Sequence, residues 1–339
     1  MLFPSFLLFD TDLNFELTMR ILLSLFILIC LGCETIIEVD APEYDSEPVV
    51  TSFFSPDTTW SVTLHQSLGA NIRQDVTRQY IADATAKIFQ GSNMVDNLSY
   101  VGKGEYVSTT GVGPAMGVMY TLEVDFPSKP SIEAISMAPL SIEISDYSIE
   151  SLPPSSDIPP DFTDGLSRYQ LRVVFSDRAG PNYYRIGVYR YGFNWYGRED
   201  ADPDSVYRRM WFDDYSAGWS CGYENDFVFD PLDGSGAAGG ESFCDEEFVV
   251  TDRLFDGKSY SWSGTTHDLA IDAGRNELLL IISSLSEDYY EYLKTLERNE
   301  FYDPLTEEPF PMYTNVNGGL GVFAGYTNTR LVFPIFQEN

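Results

Sequence analysis

The sequence predicts an all-β fold of two β-sandwich-like domains, the second carrying one short amphipathic helix near residues 286–298. Three observations lead there. Aromatic residues fill 15% of the 339 positions, mostly Phe and Tyr, and these suit pleated, half-buried surfaces as β-branched residues do. Short segments alternating apolar and polar residues recur between turn signals along most of the chain. A helical period stands out in only one stretch, close to the C-terminus. The length exceeds that of a usual single domain, so two are expected.

Taken in order, the first domain is expected over residues 48–146. Its strands are read at 49–54, 60–64, 84–89, 120–124 and 142–144. Ser55-Pro56-Asp57, Gly102-Lys103-Gly104 and Gly111-Val112-Gly113-Pro114 supply turns between them. Residues 147–167 contain Pro153, Pro154, Pro159 and Pro160 in a polar setting, which reads as an extended, semi-rigid linker. The second domain, 168–339, carries strand patterns at 169–175, 184–191, 206–212, 247–250, 278–282, 320–326 and 330–336. Its helix opens with Ser284 and Glu287 at capping-box spacing, with Glu287 and Asp288 where the helix dipole favours acids. Tyr289, Tyr292, Leu293 and Leu296 recur at i, i+3, i+4 and i+7 and form one apolar face, and Asn299 and Pro304 close the helix. No internal repeat is visible.

The formal net charge of −32 repels phosphate backbones, so nucleic acid is not an expected partner. The N-terminal region is the most specific part of the chain. Met19-Arg20 precedes an apolar run at 21–31, interrupted only by Ser24 and followed by Gly32-Cys33. A bilayer-spanning helix needs about 20 apolar residues, so this run is too short to be one. A basic residue, a short apolar stretch and a small residue before the cut are the parts of a secretory signal. The run resembles bacterial lipoprotein signals, which implies a signal peptide over 19–32 and acylation of Cys33, although Cys30 stands where leucine is preferred. Asp10, Asp12 and Glu16 do not suit an export signal, so translation is expected to start at Met19, with 1–18 outside the translated chain. Residues 33–47 then form an acidic tether to the membrane.

Besides Cys30 and Cys33 the chain has only Cys221 and Cys244, which an oxidising compartment is expected to join. Closing that loop stabilises a fold by roughly 3 kcal/mol in the chain-entropy treatment. With His65 and His267 the only histidines, no zinc site is expected, and no metal or cofactor is assigned. Gly218-Trp219-Ser220-Cys221-Gly222 has the form of a nucleophile elbow, but no helical period follows Ser220, and no enzyme activity is expected. Asp200-Ala201-Asp202-Pro203-Asp204 resembles half of a calcium loop, without the glycine that the loop needs, and leaves calcium open.

Residues 168–209 hold eight of the 20 basic residues, interleaved with Tyr and Trp. One reading is ordinary sandwich core, with arginines pairing to acids on neighbouring strands. The other is a partner-binding face, for which Arg190, Trp195 and Trp211 are the candidates, because Arg, Tyr and Trp anchor interfaces.

The segment 285–296 (Leu-Ser-Glu-Asp-Tyr-Tyr-Glu-Tyr-Leu-Lys-Thr-Leu), followed by Asp303-Pro304, Glu308-Pro309 and 313–323, resembles the C-terminal signature of the domain-of-unknown-function family 4249, lipoproteins of the Bacteroidota. Gly104-Glu105-Tyr106 and Tyr120-Thr121-Leu122 suit the N-terminal half of that family. The resemblance implies an outer-membrane lipoprotein, often encoded beside a TonB-dependent transporter, and brings no activity or catalytic residues. The residues themselves read as packing, with Asn317-Gly318-Gly319 a turn and 320–323 a buried strand. The expected function is therefore binding at the outer membrane, accessory to a TonB-dependent transporter in substrate capture or gating. A structural or adhesive surface lipoprotein without a transport role is the alternative.

Overall fold

The computed structural model describes residues 45–68, 79–156, 158–159, 161, 166–191, 207–209, 220–221, 248–266, 269–270, 277–300 and 310–335. The first half forms β1 (Pro48–Phe54), β2 (Ser61–Gln66), β3 (Thr85–Gln90), β4 (Asn93–Asn97), β5 (Ser99–Gly102), β6 (Glu105–Val107), β7 (Met119–Asp125) and β8 (Ile132–Met137). The second half begins with β9 (Glu143–Leu152), β10 (Leu166–Ser176), β11 (Tyr183–Tyr191), β12 (Tyr207–Arg209), β13 (Ser220–Cys221) and β14 (Phe248–Thr251). It continues with β15 (Ser259–Thr265), β16 (Leu269–Ala270), β17 (Glu277–Leu285), the helix α1 (Glu287–Glu300), β18 (Val316–Asn317) and β19 (Leu320–Pro334). The all-β expectation holds, and among the described residues the one helix is the late one expected.

Among the described residues three sheets result. A long sheet runs β12-β11-β17-β19-β1-β2-β6-β5, with β14 also on β11. A first cover sheet runs β18-β8-β7-β3-β4, and a second runs β13-β15-β10-β16, with β9 on β10. Alternation along each strand assigns its faces. Val50, Phe54, Val62 and Leu64 on the long sheet meet Ile88, Leu122, Val124 and Ala134 on the first cover sheet, around Trp60. Ile186, Val188, Leu278, Leu280 and Ile282 meet Leu171, Val173, Phe175 and Trp262 on the second. Each fully buried side chain of this size contributes about 1.5–3 kcal/mol, so both cores are held mainly by apolar burial.

β19 joins the two cores. Its first six residues pair parallel with β1, Val49 opposite Leu320 through Phe54 opposite Gly325. The rest pairs antiparallel with β17, Leu285 opposite Tyr326 through Glu277 opposite Pro334. Phe323 therefore lies in the first core and Phe333 in the second. The sequence pattern suggested two strands here, because Thr327, Asn328 and Thr329 are polar. The break is absent because the segment after β8 satisfies one of these side chains and the paired strand β17 another. Thr327 Oγ1 donates to the Pro139 carbonyl (2.6 Å), and Ser283 Oγ donates to Asn328 Oδ1 (2.7 Å).

Two further expectations need correction. The linker expected at 147–167 opens inside β9, which pairs with β10 along its whole length. β9 is an exposed edge strand with polar residues on both faces, so its sequence lacks the alternation of a half-buried strand. Both cores lie in one compact unit, Asp45–Asn339. The helix cap is Ser286 rather than Ser284. The Tyr289 amide donates to Ser286 Oγ (3.2 Å), while Ser284 is a buried residue of β17. Among the described residues no helix is long and apolar enough to cross a membrane.

Candidate functional site

Among the described residues, one group of polar side chains is concentrated enough to do chemistry. Asp177 follows β10, and Asp252 and Asp256 sit in the turn between β14 and β15, so pairing of β10 with β15 brings the three together. Their carboxylate oxygens lie within 4.8 Å of one another, with Asp177 and Asp252 buried and Asp256 exposed. Asp177 accepts from the Tyr184 hydroxyl and from the Gly257 amide (2.7 Å). Asp252 Oδ2 accepts from the Asn182 amide (2.9 Å) and from Asn182 Nδ2 (3.0 Å), and Asp256 accepts from the Gly180 amide (2.9 Å).

Among the described residues no lysine or arginine forms an ion pair with any of the three. Burial foremost, then the neighbouring Asp177 and Asp256 charges, pushes the Asp252 carboxyl above its ordinary value, although the Asn182 hydrogen bonds pull the other way. Burial and the bond to Asp177 push the Tyr184 phenol well above its usual range. Hard oxygen donors at this spacing are the chemistry of a calcium or magnesium site. Hydrogen bonding alone also gives them a role, as a clamp that ties the Arg178–Asn182 turn to the β14–β15 turn.

The sequence reading missed this trio. A usable signal existed in Asp252-Arg253-Leu254-Phe255-Asp256-Gly257, two acids four apart before a glycine, but Asp177 is 75 positions away and only the β10–β15 pairing brings it in.

The arginine-rich segment resolves differently from place to place. Arg172 pairs with Asp146 on the neighbouring β9 (3.2 Å), Arg168 donates to the Pro153 carbonyl (2.9 Å), and Arg178 donates to the Leu140 carbonyl (3.3 Å). Arg185 donates to the Tyr289 hydroxyl (3.0 Å) and lies over that ring, 5.2 Å from its centroid. These four arginines tie parts of the fold together, but only Arg172 pairs with an acid on a neighbouring strand; the others bond backbone carbonyls or a tyrosine. Arg190 stands on β11 opposite Leu278, and no more than its backbone place is described. Trp195, Trp211, residues 200–204 of the calcium-loop resemblance, Cys33 and Cys244 lie outside the described residues. Cys221 is on β13, so the Cys221–Cys244 pairing has only one end in the described part. Ser220 lies in the same short strand, paired with Thr265 of β15.

The C-terminal signature residues meet at one seam. Asp288, in the first turn of α1, accepts from Ser136 Oγ of β8 (2.6 Å) and from the Tyr313 hydroxyl (2.9 Å). Asn315 holds β19 through both backbone groups of Phe323: its Oδ1 accepts from the Phe323 amide (3.0 Å), and its Nδ2 donates to the carbonyl (2.8 Å). Gly321, at φ +99°, leaves no room for a side chain, since a Cβ would lie 1.9 Å from the Val50 carbonyl oxygen. The turn expected at 317–319 is present, with Gly318 at φ +83°. The signature thus encodes the join between the helix, the first cover sheet and β19.

Comparison with known proteins agrees with that signature. Residues 34–331 match the family described as domain of unknown function (DUF4249). No curated protein matches the chain. Among solved structures, a point mutant of Salmonella alpha-2-macroglobulin is 9% identical over 91% of this chain and 16% of its own, with a TM-score of 0.22. The chain thus spans about a sixth of that structure's length, and a likeness at this level carries no argument about fold or function.

Proposed function

The chain belongs to the DUF4249 family, and from that premise we propose that it is a lipid-anchored outer-membrane protein of a bacterium of the Bacteroidota. In this reading it acts by binding, as an accessory to a TonB-dependent transporter in substrate capture or gating. The observation that carries the anchor is positional: the family match begins at residue 34, directly after the Gly32-Cys33 pair that follows the short apolar run. A mature chain starting at Cys33 would then consist of an acidic tether and the β-rich body.

Binding is favoured over catalysis by what the described residues are used for. The acids, arginines and tyrosines described above are engaged with one another across strands, and they hold strands, turns and the helix in place. The test of the anchor is Cys33→Ser. Each buried lipid methylene contributes about 0.8 kcal/mol to membrane attachment, so loss of the acyl chains releases the protein from the membrane fraction or leaves its signal uncut. A variant that still fractionates with membranes and is processed at the same place contradicts the reading.

A further inference from the structure

The first cover sheet has a second face, turned away from the core, and its rows can be followed by register. Met119 stands opposite Met137, and the next row is Met94, Phe89, Thr121 and Ile135. Met94, Met119 and Ile135 are 57%, 54% and 48% exposed, while their strand neighbours Ile88, Leu122 and Ala134 are buried in the core. Met116 and Leu140, also exposed, adjoin the Met119–Met137 end, where the Gly117 amide donates to the Ala138 carbonyl. Every methionine among the described residues is exposed, in a residue type that normally sits inside. Contiguous exposed apolar rows rich in methionine are a recurrent feature of binding surfaces.

The row beyond is charged. Glu123 stands directly opposite Glu133, with Lys87 on the other side of Glu123. Like charges facing each other across strands destabilise a sheet, and Lys87 is already committed to Asp125 (2.8 Å). Among the described residues neither Glu123 nor Glu133 forms an ion pair. The face is therefore apolar at one end and carries at the other a carboxylate pair whose charge Lys87, opposite Glu123 but bonded to Asp125, offsets only in part.

Charge decides what covers it. A second copy, strongly acidic and carrying the same glutamates, is repelled, and an anionic lipid surface is repelled by those glutamates too. We propose that this face docks a protein partner presenting an apolar segment flanked by lysine or arginine, the cation seated between Glu123 and Glu133. The inference rests on the reading that the chain works by binding a protein.

The experiment is site-specific photo-cross-linking of the full chain in the cells that make it, with a photoreactive phenylalanine analogue at Met119, at Ile135, or at the exposed control position Met312. The expected result is one protein adduct from Met119 and Ile135, at least tenfold above Met312, mapping to a segment with both apolar and basic residues. The Glu123→Gln, Glu133→Gln pair should lower its yield at least threefold. Adducts to a second copy or to lipid alone, or yields no higher than at Met312, overturn the proposal. Detergent pull-down separates its failure from that of the broader reading. If the wild-type chain brings down no partner, both fail. If a partner is retained by Met119→Ser, Ile135→Ser at unchanged melting temperature, this surface alone is wrong.

Discussion

The long sheet and the first cover sheet each turn a face away from the cores, and both faces carry large apolar side chains. On the long sheet, Phe53, Tyr183, Val322, Ala324 and Tyr326 are covered by α1. The covering is aromatic: Tyr289 stacks on Phe53 at 4.6 Å between ring centroids, and Tyr290 stacks on Tyr183 at 4.4 Å. On the first cover sheet, Met94, Met119, Ile135 and Met137 stand exposed. Rigid rings serve where the chain supplies its own cover, because their packing is fixed once. Flexible methionines serve where a surface must fit something that arrives later.

The largest effect expected on the covered side is at Gly321. Gly321→Ala forces a Cβ to 1.9 Å from the Val50 carbonyl at φ +99°, separating β19 from β1 under the helix. The expected loss is about 4 kcal/mol or more, the range of the most damaging single substitutions, read as a fall in denaturant midpoint or as failure to fold. Tyr289→Ala comes next. It removes the stack on Phe53 and the Arg185 hydrogen bond, and should cost about 3 kcal/mol, with faster amide exchange in α1. If it costs no more than a change on the exposed face, the contrast drawn above disappears.

The covered face should also fail at alkaline pH. Burial raises the phenols of Tyr183, Tyr292, Tyr313 and Tyr326, all at or beside α1, with Asp288 adding to the effect at Tyr313. A raised phenol favours the folded state below its unfolded value of about 10, and this contribution fades as pH climbs toward the folded value. Among the described residues the first core holds one such phenol, Tyr106, also raised by burial, against these four, so protection of the α1 amides should fall above about pH 10 ahead of that of β3 and β7. Equal loss in both places would contradict the asymmetry. The smallest effect belongs to the exposed face: Met119→Ser with Ile135→Ser should change stability by less than about 0.5 kcal/mol each. A larger loss in urea unfolding would show these residues to be part of a core.

Strands with one buried face were legible from sequence because alternation records burial, as in β1, β2, β7 and β10. The amphipathic period of α1 was legible for the same reason. β9 was not, since this mostly exposed edge strand mixes polar and apolar residues on both faces, and neither was the continuity of β19, which depends on Pro139 and Ser283 meeting its polar side chains. The carboxylate trio joins residues 177 and 252, so only the β10–β15 register reveals it. The outward row of β8 was equally hidden. Ile132, Ala134 and Ser136 are buried and Ile135 and Met137 are exposed, a strand with apolar residues on both faces whose sequence cannot say which one the core takes.

The central claim, that this chain works at the outer membrane by holding a protein partner, is tested most directly by solubilising the native membranes in mild detergent and purifying the full chain. The account predicts a stoichiometric TonB-dependent transporter in the eluate, identified by mass spectrometry and lost when Met119→Ser is combined with Ile135→Ser. A chain that elutes alone at every detergent and salt condition tried, from membranes in which the transporter is abundant, would contradict it.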